Sequence, residues 1–188
     1  ESGTSMAAPA VAGTLGLMQE FFEQRLHVTN SPALMKALLI NGARTIANIY
    51  DFRVRSTINY QGWGMINLAN SLPNTISNAF DLSPGAIGAI KLVDQSPTNA
   101  LATGQSHTRS ISITNELGRS VPLRITLVWT DPAANPAAGV KLVNDLDLIV
   151  TNRDTGDIYW GNDFPNVDPY NNFWDTNDPP VIDSVNNI

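Results

Sequence analysis

Residues 3–13 have the sequence GTSMAAPAVAG, in which a serine opens a run of small apolar residues. From Met6 to Met18 nearly every residue is apolar or glycine, and no polar stripe interrupts the run. This composition predicts a helix that is buried all round rather than an amphipathic surface helix. We expect Ser5 at the N-cap, where the positive end of the helix dipole favours negative charge developing on its oxygen. Pro9 is expected near the first turn, where its missing N–H costs little.

The run GTSMAAP resembles the serine motif of the subtilisin-like serine proteases, the subtilases. The resemblance implies that Ser5 is the nucleophile that becomes acylated by a peptide substrate. The ordinary alternative is a Thr–Ser pair that merely caps a helix. The number of positions that match together favours the protease motif over that alternative.

A serine nucleophile needs a base, an acid that orients the base, and donors for the oxyanion. In subtilases the order is Asp, His, Ser, so the resemblance implies that the acid, the base and the oxyanion-hole asparagine lie upstream of Glu1. The chain has two histidines, His27 and His107. The first is expected at a helix end and the second at the start of a polar strand, and neither occupies a position that the family motif assigns to the base. We therefore expect the C-terminal part of a subtilase, inactive alone.

Composition excludes some classes of protein and leaves others open. The 188 residues carry a net charge of −6 with no basic patch, which argues against nucleic acid as a partner. The sequence contains no run of 18 apolar residues, so it predicts no membrane-spanning helix. The chain has no cysteine, which decides little about its compartment and, with no close histidine pair, disfavours zinc. The resemblance implies a secreted bacterial protein.

Helix signals dominate the first part of the chain. Ser31 followed by Pro32 is a typical N-cap and first helical residue, and the apolar spacing predicts a helix to Gly42, which is expected to be the C-cap. The sequence Gln-Gly-Trp-Gly at 61–64 predicts a tight turn with a buried indole. By the resemblance, this turn closes the catalytic domain.

After Pro73 the apolar residues alternate, as in antiparallel strands. Strands are predicted at 106–114, 123–129 and 145–151, and residues 152–157 predict a loop that leads to a returning strand at 158–160. Short strands at this spacing predict a β-sandwich or jelly roll. We expect two domains, with the catalytic segment at 1–78 and the β-domain at 79–188.

Three stretches of this second region carry a further resemblance: LVWTD at 127–131, LVNDLDL at 142–148 and GNDF at 161–164. They are similar to the C-terminal β-barrel domain of a subset of bacterial subtilases, including oxidation-stable alkaline proteases of bacilli. The implied fold is an α+β fragment: a helical segment of a subtilisin-like α/β domain, followed by an antiparallel β-sandwich or jelly-roll barrel that lacks its last strands.

The acidic residues of this region predict a calcium site. Asp145 and Asp147 leave one face of a strand about 7 Å apart. Asp131, Asn144 and Asp163 can converge on them from neighbouring loops, and oxygen ligands of this kind suit Ca²⁺. The resemblance also implies structural calcium. The alternative is a solvated face of an edge strand with Asx turns at its ends.

Two functions from different classes remain. One is a secreted serine endopeptidase that acts on protein or peptide substrates. The other is a non-catalytic β-sandwich module for stabilisation, calcium binding or carbohydrate and peptide binding, suggested by aromatic residues that are more often core: Tyr159, Trp160, Phe164, Tyr170, Phe173 and Trp174. In either case we expect the all-apolar Ser5 helix to be covered by a second copy or by a companion chain.

Overall fold

The computed structural model describes residues 3–44, 62–73, 90–113 and 123–161. Within these ranges the structure has three α-helices and one two-stranded antiparallel sheet, so the described residues have α+β content. The helices are α1 (Thr4–Phe21), which continues into a π-helical turn (Phe22–Leu26), α2 (Pro32–Gly42) and α3 (Leu68–Ser71). A 3₁₀ turn covers Pro97–Asn99, and the strands are β1 (Ile149–Thr151) and β2 (Ile158–Trp160). No described helix is both long and apolar enough to cross a membrane.

The first helical segment ends at His27, as the sequence predicts. His27 adopts a left-handed backbone conformation with φ of 54°. Its N–H and that of Val28 both donate to the Phe22 carbonyl. These bonds satisfy a carbonyl that the helix end would otherwise leave without a partner.

Helix α2 begins as predicted, but it ends differently. The Ser31 hydroxyl accepts a hydrogen bond from the Leu34 N–H at 3.0 Å, and Pro32 is the first helical residue. Gly42, however, is the last residue of the helix, and Ala43 is the C-cap, so the expected cap was wrong. Gly42 is needed for close packing instead, because a Cβ there would lie 2.6 Å from the backbone nitrogen of Ser71 and 2.7 Å from its Cα.

The hydrophobic core lies where the end of α1 meets α2 and α3. Met18, Phe22 and Leu38 are its buried members, and the rings of Phe21 and Phe22 meet edge to face with centroids 5.7 Å apart. Partly buried apolar side chains surround them: Phe21, Leu26, Leu34, Met35, Leu39, Leu68, Leu72, Ile90 and Leu92. Ile90 and Leu92 belong to the described residues 90–113 and 123–161, which we call the extended region. The extended region therefore contributes to the same core.

The N-terminal part of α1 is not covered by this core. Met18 is the buried residue of the helix, whereas Met6 is 44% and Leu17 is 56% exposed. The expectation of a helix buried all round was therefore wrong for the described residues. The core cluster contacts the C-terminal end of α1, and no described residue of α1 before Met18 is buried.

The predicted hairpin is confirmed. Strands β1 and β2 pair antiparallel with Ile149 opposite Trp160 and Thr151 opposite Ile158. The connecting loop closes through the Asn152 N–H, which donates to the Asp157 carbonyl at 2.8 Å, and through Gly156, whose φ is 81°. The positive φ explains the glycine at this position.

The other predicted strands form no ladder with described residues. Residues 106–113 and 123–129 belong to no strand pair in the described ranges. No barrel or sandwich is formed by the part of the chain that the structure describes, so the β-domain stays a prediction.

The turn at 62–64 is present as predicted. Gly62 and Gly64 both have positive φ, at 58° and 102°, and the indole of Trp63 between them is half-buried rather than buried. Immediately after this turn, Met65 pairs with Arg44 through two backbone hydrogen bonds of 2.9 and 2.8 Å. The turn therefore brings the chain back against the end of α2.

Candidate active site

Ser5 lies in the first turn of α1. The N-cap is Gly3, with no side-chain capping bond, so the expected N-cap position of Ser5 was wrong: it is the second helical residue. The N–H groups of Met6 and Ala7 both donate to the Gly3 carbonyl at 3.1 Å. The backbone N–H groups of Thr4 and Ser5 come earlier in the first turn, where a helix offers no acceptor for them. The nucleophile candidate thus stands at the positive end of the helix dipole.

Pro9 lies inside α1, four residues after Ser5 and just beyond the first turn. A proline nitrogen carries no hydrogen, so Pro9 cannot donate the usual bond to the Ser5 carbonyl, and its ring crowds that oxygen. The helix backbone is therefore weakened at the residue that carries the candidate nucleophile.

No described residue supplies a base for Ser5. The Ser5 side chain is exposed. His27 stands at the far end of the same helical segment, about 33 Å away at 1.5 Å per residue. His107 is hydrogen-bonded through Nδ1 to Gln95 Oε1 at 3.0 Å. The described residues thus place a serine at a helix N-terminus without the histidine that would activate it.

His107 lies in an open polar groove of the extended region. Arg109 reaches the same Gln95 oxygen at 3.4 Å, and the Ser96 and Thr98 hydroxyls pair at 2.8 Å. The groove is lined by Val93, Asp94, Gln95, Ser96, Asn99, Ala100, His107 and Arg109. These contacts satisfy the groove's polar groups internally, and they give no sign of a nucleophile–base pair.

Asp131, a predicted calcium ligand, holds a loop together. Its two oxygens accept hydrogen bonds from the Val143 N–H at 2.7 Å and from the Asn144 N–H and side-chain amide, both at 2.9 Å. The Val143 bond is the main reason that the pKa of Asp131 lies below its usual value. Trp129 Nε1 donates to the Asn144 carbonyl at 3.0 Å, closing the loop from the other side. These three hydrogen bonds use part of the acceptor capacity of the carboxylate, and the role of Asp131 as a calcium ligand stays a prediction.

Asp147, another predicted ligand, is affected by the charge of Asp145, which is also a predicted ligand. Partial burial and, secondarily, the charge of Asp145 raise the pKa of Asp147. Among the described residues, no three or more acidic or histidine side chains cluster as a metal site, and Asp163 lies outside the described residues. The structure therefore brings together part of the predicted ligand set and leaves calcium binding a prediction.

Two charged residues that sequence reasoning missed lie at the ends of α2. At its N-terminus, Asp94 Oδ2 accepts from the Ser31 N–H at 2.8 Å and Oδ1 accepts from the Ser31 hydroxyl at 2.7 Å. No local signal marks this pair, because 63 residues separate its members in sequence.

At the C-terminus of α2, Arg124 Nη1 donates to the Asn41 carbonyl at 3.1 Å and to the Ala43 carbonyl at 2.9 Å. The Asn41 side-chain amide donates in turn to Thr126 Oγ1 at 2.9 Å and to the Arg124 carbonyl at 3.3 Å. Burial lowers the pKa of Arg124, but an arginine stays charged at neutral pH. The positive charge stands at the end of the helix where the dipole favours it.

Comparison with known proteins points to one family for the first part of the chain. Residues 1–79 match the model of the subtilase family, peptidase family S8. The whole chain is 28% identical over 222 residues to the serine protease/ABC transporter B family protein tagD of Dictyostelium discoideum, of which the alignment covers 12%. Over 85% and 84% of the chain, it is 30% identical to proteins tagA and tagB of the same description and organism, and it covers 9% and 10% of them.

The chain spans about a tenth of the length of these curated relatives. No solved structure matches it significantly. The relatives do not indicate a bacterial secreted protein, so that localisation stays an expectation. Together, the family match and the relatives support a subtilisin-like serine protease segment over residues 1–79.

Proposed function

We propose that this chain is the nucleophile-bearing part of a serine endopeptidase of the subtilisin type and that Ser5 is its nucleophile. The observation that carries the proposal is the position of Ser5: an exposed hydroxyl in the first turn of α1, inside the region that matches the subtilase family. A helix N-terminus stabilises negative charge, and the Ser5 backbone N–H, in the part of the first turn that has no intrahelical acceptor, is available as a hydrogen-bond donor for an oxyanion.

In this mechanism Ser5 Oγ attacks the scissile carbonyl while a histidine takes its proton, and the histidine later protonates the leaving amine. An aspartate orients that histidine. The base and the acid are supplied by another segment of a longer protein or by a companion chain, because the described residues offer Ser5 no base. The 188-residue chain is therefore inactive by itself.

Covalent labelling with a fluorophosphonate, followed by intact-mass measurement, tests the nucleophile. The longer protein should gain one label, which Ser5→Ala removes and which Ser96→Ala, a change at an exposed hydroxyl far from α1, leaves in place. The 188-residue chain should gain none. Labelling that survives Ser5→Ala, or its absence from the longer protein, would contradict the proposal.

The proposal includes a structural calcium ion at the acidic strand of the extended region. The closeness of the two carboxylates supports it, because the charge of Asp145 acts on Asp147 and a cation would relieve that repulsion. The ion would be held by these two residues together with the other predicted ligands, Asp131, Asn144 and Asp163, the last of which lies outside the described residues. Adding Ca²⁺ should raise the thermal midpoint of the wild-type chain but not of a variant with Asp145→Asn and Asp147→Asn. An unchanged wild-type midpoint would rule out the ion.

The proposal also includes a partner for α1. The helix exposes apolar residues from its start to Leu17, and surface of this kind is ordinarily covered. The cover is a second copy or a companion chain. Sedimentation of the isolated chain should show an assembly larger than a monomer, and a monodisperse monomer would contradict this part of the proposal.

The alternative function, a non-catalytic module, has one specific observation in its favour. The extended region contributes Ile90 and Leu92 to the core and binds both ends of α2, which suits a stabilising role. For carbohydrate or peptide binding the described residues offer one well-exposed aromatic ring, that of Tyr159 at 57%. Fluorophosphonate labelling separates the alternatives, because a non-catalytic module has no activated serine in any context.

A further inference from the structure

We infer that Asp94 and Arg124 are positioning residues that clamp α2 at both ends and, through the shared core, hold α1 and Ser5 in place. The last step rests on the proposed role of Ser5; the clamp itself does not. Both residues belong to the extended region, which would otherwise be treated as a separate domain. The two regions therefore behave as one cooperative unit.

The N-terminal half of the clamp is a relay of three groups. The Leu34 N–H is one of the amides that a helix start leaves without an acceptor, and the Ser31 hydroxyl accepts from it at 3.0 Å. The Ser31 hydroxyl in turn donates a hydrogen bond to Asp94 Oδ1 at 2.7 Å. This bond orients the lone pairs of the hydroxyl oxygen toward the Leu34 N–H. Asp94 also accepts from the Ser31 N–H, so one carboxylate orients both donors of the cap. Hydrogen bonds of this charged kind are stronger than neutral ones.

The C-terminal half of the clamp uses the opposite charge. Arg124 Nη1 binds the Asn41 and Ala43 carbonyls at the end of α2, where helical carbonyls lack partners. The Asn41 amide returns two hydrogen bonds to the same extended segment, to Thr126 Oγ1 and the Arg124 carbonyl. The acidic residue therefore lies at the positive end of α2 and the basic residue at its negative end, which is the arrangement that a helix dipole favours.

The clamp can influence Ser5 through the core. Leu38, in the middle of α2, packs with Met18 and Phe22 from the C-terminal end of α1. These contacts anchor α1, because no described residue of this helix before Met18 is buried. A shift of α2 would therefore displace the C-terminal end of α1, and with it the position of Ser5 at the N-terminal end of the same helix.

Hydrogen–deuterium exchange on the 188-residue chain tests the clamp without reference to activity. Asp94→Asn should speed exchange of the Leu34 amide, and Arg124→Met that of the last-turn amides of α2, each by about tenfold. Arg124→Lys should restore part of the protection, because a lysine supplies the charge but not the planar guanidinium. The matched controls are Asp154→Asn and Arg153→Met in the β1–β2 loop, which make the same charge changes away from α2. Unchanged exchange at the ends of α2 would overturn the clamp.

Fluorophosphonate labelling of the longer protein tests the positioning step. The variants compared are those whose circular dichroism matches that of the wild type. The maximal rate of labelling should fall about tenfold for Arg124→Met and recover partly for Arg124→Lys. The fluorophosphonate concentration that gives the half-maximal rate should change little. Faster exchange with an unchanged labelling rate would overturn the positioning step. Absence of labelling in the wild type would overturn the proposed function and this last step together, whereas the exchange results would still decide the clamp.

Discussion

The helical and extended regions of this chain are held together in different ways. All buried residues of the described ranges lie between Met18 and Ser71, in or next to the helices. From Ile90 to Gly161 no described residue is buried, and apolar side chains such as Ile113 and Leu123 are 65% and 53% exposed. Apart from Ile90 and Leu92, which pack against the core, the extended region is held by polar contacts: Asp94 and Arg124 on α2, and Asp131 within its own loop. A hydrophobic core thus stabilises one region, and hydrogen bonds to charged groups stabilise the other.

The largest effect is expected from Leu38→Ala, which removes a buried core side chain. The lost burial and the cavity left behind should lower the free energy of unfolding by about 2–5 kcal/mol. The matched change Ile113→Ala, at an exposed apolar residue of the extended region, should stay within about 0.5 kcal/mol. Urea denaturation followed by circular dichroism measures both. Equal losses at the two positions would contradict the contrast between the regions.

The next effect concerns the contact between α2 and α3. Gly42→Ala should lower the free energy of unfolding by about 1–3 kcal/mol, because a Cβ there overlaps the backbone of Ser71. Gly13→Ala is the control, since a Cβ at that helical position meets nothing within 4 Å. It should stabilise by about 0.5–1 kcal/mol through helix propensity. Thermal unfolding measured side by side should show opposite signs, and stabilisation by both changes would rule out the close approach.

Gly42 also illustrates what sequence reasoning captures in this fold and what it misses. The start of α2 at Ser31 and the β1–β2 hairpin were predicted correctly, because local chemistry sets a cap and a turn. The role of Gly42 was missed, since its reason is the backbone of Ser71, which is distant in sequence. The exposure of α1 was missed for a related reason: composition shows which surface a helix tends to bury, not whether the described chain covers it.

In the candidate site, too, sequence reasoning captured features set by local sequence and missed contacts between distant residues. Ser5 could be proposed from seven contiguous residues, because the motif and its helix are local. For Asp131 the sequence suggested a calcium ligand, which stays a prediction, but it did not show that its oxygens accept hydrogen bonds from the backbone of Val143 and Asn144. Asp94 and Arg124 gave no signal at all, since each acts on a helix more than 60 residues away.

A smaller effect is expected at the junction after α1. His27 holds a left-handed conformation that costs an ordinary residue about 1–2 kcal/mol and a glycine almost nothing. His27→Gly should therefore stabilise the chain by about 1 kcal/mol, and His27→Asn should give part of that gain. Thermal unfolding measures the difference. If His27→Ala stabilised as much as His27→Gly, the backbone conformation would not be the cause.

The smallest effect is expected at Asp131, because water screens an exposed carboxylate. Its hydrogen bonds lower its pKa below 3.8, so the unfolded chain binds the proton more tightly. The stability that Asp131 contributes is therefore present above pH 3.8 and is lost as the pH falls through the lower folded value. Asp147 has the opposite sign, since its raised pKa contributes stability at low pH that is lost as the pH rises.

Because Asp131 and Asp147 oppose each other, the pH dependence of the whole chain does not isolate either one, and single variants are needed. Asp131→Asn should reduce the gain in thermal midpoint between pH 3 and pH 6, whereas Asp147→Asn should increase it. Asp154→Asn, in the β1–β2 loop, controls for the change in net charge. A direct check is the NMR titration of the Val143 amide, whose shift should follow the Asp131 carboxyl group and lose that dependence in Asp131→Asn. A Val143 shift that titrates identically in the variant would show that the loop is held by other contacts, and the extended region would then need a different explanation for its order.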